Sequence, residues 1–204
     1  MIGLKGKSHP NNNSYGAGEL KRLTIRLLIC SCLMVANAMQ TATAQTRIEE
    51  DNLLKAAFIY NFAKFTNWPE GTWKQQNTPL NLCTAGKDGL VSKLKHLAGK
   101  VIKQRPVTIM SLNNMQVPKN CHLLYIASSE KNDYKDILKA VHTQPVLTIS
   151  ELPHFARSGG MIEFDRKKDQ TNFIINLAVA RGAGLSINSR LLSLAEVITN
   201  EKAQ

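Results

Sequence analysis

The chain has 204 residues, with 26 Lys and Arg against 15 Asp and Glu and a formal net charge of +11. An apolar share of 43% with 20% charged residues is a globular composition, which excludes a disordered or low-complexity chain. The basic excess makes an anionic partner worth seeking, and four cysteines are too few for a disulfide scaffold.

Lys21, Arg22 and Arg26 precede an apolar stretch, Leu27–Val35, and Ala42-Thr43-Ala44 supplies small residues before Gln45. This is the pattern of a cleaved secretory leader, with cleavage expected between Ala44 and Gln45. The apolar run is about a dozen residues, short of the ~20 that a spanning helix needs. Bulky Ile29 before Cys30 argues against lipidation. Residues 1–44 are therefore read as an N-terminal extension and signal peptide, and residues 45–204 as a single exported domain. Five basic residues and one acid leave with the leader, so the mature balance becomes 21 against 14, a charge of +7. An exported basic protein rarely meets nucleic acid, so none is expected as a partner.

Over Arg47–Thr66, Leu54, Phe58, Phe62 and Phe65 fall within about 80° of arc at 100° per residue, which predicts an amphipathic helix. Pro69 disfavours helix at Trp68, so the helix is expected to end near Asn67. Trp68 and Trp73 follow in a loop. Leu80–Ala85 reads as a strand, Leu90–Leu97 as a helix, and Pro106–Leu112 and His122–Ala127 as further strands. Tyr134, Ile137, Leu138 and Val141 line one side of the next helix, opposite Lys131, Lys135 and Lys139; Val146–Ile149 is a fourth strand. Strands alternating with short helices imply parallel crossovers, hence an α/β fold. Beyond it, Ser150 caps a short helix through Ala156, and Met161–Asp165 with Asn172–Asn176 form a hairpin around a charged tip. Two helical segments, Leu177–Ala183 and Ser189–Ile198, close the chain. The expected architecture is a single-domain sandwich with a mostly parallel central sheet, helices on both faces and a C-terminal β-hairpin.

Two cysteines remain after the leader, Cys83 and Cys121. Either they form one bridge, worth at most about 4 kcal/mol for a loop of this length, or they are two buried free thiols. No arrangement demands catalysis. Cys121 and His122 are neighbours, but adjacent residues on a strand point to opposite faces, so they make no nucleophile-base pair. His96, His142 and His154 lack metal-ligand spacing, and neither cofactor nor metal is expected. Gly86-Lys87-Asp88-Gly89 matches no nucleotide fingerprint, and its ordinary role is a strand-to-helix loop.

The segment Lys55–Pro69 (KAAFIYNFAKFTNWP) resembles the opening signature of the YfiR family of periplasmic proteins. Leu80–Cys83, Cys121–Ile126, Pro145–Thr148, Gly159–Phe164, Phe173–Asn176 and Gly184–Leu192 resemble later blocks in the same order. The resemblance implies a compact α/β sandwich, commonly a homodimer, that represses an inner-membrane diguanylate cyclase by binding its periplasmic sensing domain. It further implies control of cyclic-di-GMP and biofilm formation, no enzymatic activity, and a redox-responsive Cys83–Cys121 bridge. A second cysteine pair found in some relatives is missing from this chain. For docking, the candidate residues are Phe58, Phe62, Phe65, Trp68 and Trp73, because aromatic area beyond what a core needs marks interfaces. The alternative is a small-molecule-binding sensor module with a different membrane partner, its cleft at the strand C-termini near Gly86–Gly89 and Ser128–Glu130.

Overall fold

A computed structural model describes residues 45–75, 77–112, 116–167 and 170–199. The expected leader and Ala44 lie outside the described residues; Gln45 is their first. The chain divides into two compact units after Ile48, and the sheet with its covering helices belongs to the second, which begins at Glu49.

Helix α1 occupies residues 45–65 and is followed by a two-residue strand, β1 (Thr66–Asn67). Then come β2 (Leu80–Ala85), α2 (Gly89–Leu94) with a 3-10 turn to Leu97, β3 (Val101–Ile102), β4 (Arg105–Ser111) and β5 (Leu123–Ile126). Helix α3 (Tyr134–Val141) and β6 (Leu147–Ser150) complete the first part. The second part holds β7 (Ile162–Lys167), β8 (Gln170–Asn176), α4 (Leu177–Gly182), β9 (Ser186–Ile187), α5 (Ser189–Leu192) and β10 (Glu196–Ile198). An eight-stranded sheet runs in the order β10-β8-β7-β6-β5-β2-β4-β3, while β1 and β9 pair apart from it. Only β7–β8 and β3–β4 are antiparallel within that sheet. The fold is the expected α/β architecture, mostly parallel and single-domain, with a C-terminal strand pair.

Central strands β2, β5 and β6 are buried along their whole length, so both faces of the sheet are covered and even their polar residues Asn81, Thr84, Thr148 and Ser150 lie inside. Their side chains divide between two cores. Leu80, Leu82, Leu123, Tyr125, Leu147 and Ile149 face α1, α2 and α4, whereas Cys83, Ala85, Leu124 and Ile126 face α3. Helix α3 sets Ile137, Leu138 and Val141 against that second core and leaves its lysines exposed.

Three expectations need correction. Ser189–Ile198 is not one helix: α5 stops at Leu192, and Glu196–Ile198 becomes β10, parallel to β8. The sheet edge supplies backbone partners that outweigh local helix propensity, as β-branched Val197 and Ile198 permit. Ser150 ends a strand instead of opening a helix; its hydroxyl donates to Ile126 O and accepts from Leu152 N. Thirdly, α1 turns a different face inward. Its buried positions are Asn52, Lys55, Ala56, Ile59, Phe62 and Ala63, a stripe rotated by about 100° from the aromatic one, and Leu54 remains exposed.

Candidate functional site

The buried polar groups on α1 close the C-terminal ends of the parallel strands. Lys55, 1% exposed, donates to Asp51 and to Glu151 just past β6, both at 2.7 Å. Beside it, Tyr125 donates its phenol to Asp88 Oδ2 at 2.7 Å. Burial first, then the Asp88 and Glu151 carboxylates, hold that phenol far above the usual tyrosine range. Asp88 also caps α2 through Val91 N and accepts from Ser128 N.

Between β2 and β5, where the strand order reverses and open α/β sheets ordinarily bind ligands, Ser129 Oγ accepts from Lys87 N and donates to Glu130 Oε1. Gly86 has φ +81°, and any Cβ there would run into Ser129 Oγ and the Glu130 carboxylate. In the crevice expected near Gly86–Gly89 and Ser128–Glu130, the space over Gly86 is thus taken by Ser129 and the Glu130 carboxylate. An anion has no place at the start of α2, because Asp88 already occupies it.

The opposite end of the sheet is open. After α1, Asn188 N donates to Phe65 O, and β1–β9 pairing ties down the chain leading to Trp68. A turn follows, with Thr72 N and Oγ1 both donating to Pro69 O, and it delivers Trp73 next to Trp68 with ring centroids 5.9 Å apart. His122, immediately before β5, holds the pair in place: Trp68 Nε1 donates to its carbonyl at 3.2 Å, and Trp73 packs on its imidazole at 4.3 Å. Its Nδ1 accepts from Asn81 N, which fixes the neutral tautomer. Burial, then the Arg105 charge, pushes the imidazole down to about 4.

Arg105 lies over the Trp73 ring at 4.2 Å and donates to Thr78 O and Gln75 O. Before it, Lys103 and Gln104 form the two-residue turn of the β3–β4 hairpin, with φ of 48° and 66°. Both signs fit a type I′ turn, in which non-glycine residues carry strain of order 1–2 kcal/mol each. Lys103 Nζ offsets part of it by donating to Thr66 O at 2.6 Å and to Asn67 Oδ1. Burial lowers the affinity of that ammonium for its proton. A cavity of about 130 Å³ opens between these cations and the two tryptophans.

The Cys83–Cys121 bridge, Cα–Cα 6.1 Å, sits just behind this end, on the α3 side of the sheet. Because Cys121 is bonded to Cys83 and His122 to Asn81, the neighbouring pair forms no nucleophile-base dyad. Among the described residues, no group of three or more His, Cys, Asp or Glu could hold a metal ion, and no helix is long and apolar enough to cross a membrane.

The five aromatic candidates separate into two sets. Phe62 is 0% exposed, stacked on Phe58, tilted against Phe164 and edge-on to Phe173, so it belongs to the core and offers nothing to a partner. Phe58 is half-buried in the same ring cluster, and Phe65 packs on the core edge. Trp68 and Trp73 are half-buried and linked to Arg105, which residue spacing did not place beside them. Lys55, Asp88, Arg105 and His122 are the polar residues that sequence reasoning missed as a framework. A family model described as YfiR/HmsC-like matches residues 52–196, so it spans both closed and open ends of the sheet, and the chain belongs to the YfiR/HmsC-like family.

Proposed function

We propose that the protein is a periplasmic regulator of cyclic-di-GMP signalling that docks on the sensing region of an inner-membrane diguanylate cyclase and holds the enzyme inactive. Family membership over residues 52–196 carries this reading. It supports a regulatory and non-catalytic role, and the Cys83–Cys121 bridge agrees with an oxidising compartment reached after cleavage between Ala44 and Gln45. The docking surface is the Trp68–Trp73–Arg105 cluster, with Phe65 at its edge. Partly buried tryptophans beside an arginine are the residue types that carry most binding energy in protein interfaces, and a second copy of the chain competes for the same surface if the protein is a homodimer.

The test is capture from solubilised membranes by the mature, oxidised protein, followed by assay of the captured cyclase. Recovery of a diguanylate cyclase whose activity falls on binding is expected. The Trp73→Glu variant should weaken capture by about tenfold or more, the scale of a hot-spot residue. Recovery of no cyclase would end the regulatory reading. Capture and self-association both unchanged by Trp73→Glu would move the surface elsewhere on the fold.

A further inference from the structure

Lined in part by His122, a cavity larger than the tryptophan-lined one, of about 420 Å³, lies at the N-terminal ends of β5 and β6. That volume is within the range of small-ligand sites, roughly 300–1,000 Å³. Its apolar floor includes Val146 and Cys121, the latter held by the disulfide. Lys74 and Lys119 also line the cavity, together with Asn120 and Gln144, and among the described residues no carboxylate does. Nearby Arg105 adds to the positive field, which is felt at His122.

We propose that this cavity binds a small organic anion with an apolar body, its carboxylate between Lys74 and Lys119 and its hydrocarbon part over Cys121 and Val146. Such a ligand touches His122, and through it the tryptophan cluster, so occupancy is an input to that surface. The site is intrinsic to this chain and does not depend on the identity of any docking partner.

Phenylacetate is a suitable probe, with phenylacetamide as its neutral counterpart and inorganic phosphate as an anion without an apolar part. Calorimetry reports binding to the full oxidised protein. Tryptophan emission reports location, because the chain has only two tryptophans and both contact His122. Saturable phenylacetate binding with a change in emission is expected, weakened about tenfold by Lys74→Gln and by Lys119→Gln, each an exposed position whose change leaves the fold intact. Phenylacetamide should bind about tenfold more weakly, and phosphate should not displace phenylacetate at equal concentration. No heat of binding, equal affinity for the amide, displacement by phosphate, or indifference to both lysine changes would overturn the proposal. Heat without an emission change places the probe elsewhere and overturns it as well.

Discussion

The two ends of the parallel strands are built from opposite materials. At the C-terminal end, charge is turned inward: Lys55 is sealed between Asp51 and Glu151, Tyr125 donates to Asp88, and Glu130 fills the space over Gly86. At the N-terminal end, aromatic rings and cations face outward around two cavities. Strand order alone points to the first end as the place for a ligand, whereas the two cavities lie at the second. The disulfide belongs to the open end and is its principal brace, since it joins the middle of β2 to the residue two positions before β5 across 38 positions. Replacing Cys83 and Cys121 by Ala should cost up to about 4 kcal/mol of unfolding free energy. Urea titration with and without reductant checks this, because reductant should destabilise only the parent. Equal midpoints for parent and variant would make the brace dispensable.

The closed end depends on Lys55 in a different way. Two carboxylates converge on one buried ammonium, so Lys55→Ala removes the cation and leaves Asp51 and Glu151 facing each other. Breaking a buried pair from one side costs about 3–5 kcal/mol, and the partial exposure of both acids places the expected loss near 3 kcal/mol. Chemical denaturation reads it, and a loss below about 1 kcal/mol would mean that α1 is held by apolar packing alone. Gly86→Ala should cost less, about 1–2 kcal/mol, for a side chain at φ +81°. Glu130 and Ser129 Oγ both have to move aside in that variant, which adds to the backbone cost; adding Glu130→Ala should recover only the part of the crowding that Glu130 causes, leaving the backbone cost and the Ser129 contact.

Most of the sheet is legible in the amino-acid order, because β2, β5 and β6 are short segments rich in Leu and Ile between turn signals and α3 has a clean amphipathic period. The two-residue strands β1, β3 and β9 are not, since so short a segment is made a strand by its pairing partner rather than by its own residues. β10 is hidden for the same reason: Glu196–Ile198 carries no turn signal, and only the exposed edge of β8 makes it a strand. The rotation of α1 has a sharper cause. Hydropathy counts Asn52 and Lys55 as solvent-facing, yet both are buried, Lys55 by ion pairing, so the apolar stripe and the buried stripe differ. In the candidate site, Trp68 and Trp73 are conspicuous in sequence. Their partners are not, because Arg105 and His122 reach Trp73 across 32 and 49 positions by way of sheet pairing.

His122 gives the most specific effect for the open end, and the most gradual, because it is spread over a pH window. Its folded value of about 4 lies below the ordinary 6.5, so the native state takes up a proton less readily than the unfolded chain. Stability from this group is complete above pH 6.5 and is lost as pH falls from there towards 4. The slope cannot exceed about 1.4 kcal/mol per pH unit for one proton. Protonation also places an N–H on Nδ1, opposite the Asn81 N–H from which it now accepts, so the imidazole turns and Trp73 loses its stacking partner. Tryptophan emission and urea midpoints should therefore change together across that window. In His122→Asn, where an amide oxygen replaces Nδ1 as acceptor, the shared change should disappear while carboxylate titration below about pH 4 persists. Emission that follows acid in the variant as it does in the parent would assign the pH response to another group and detach His122 from the tryptophan surface.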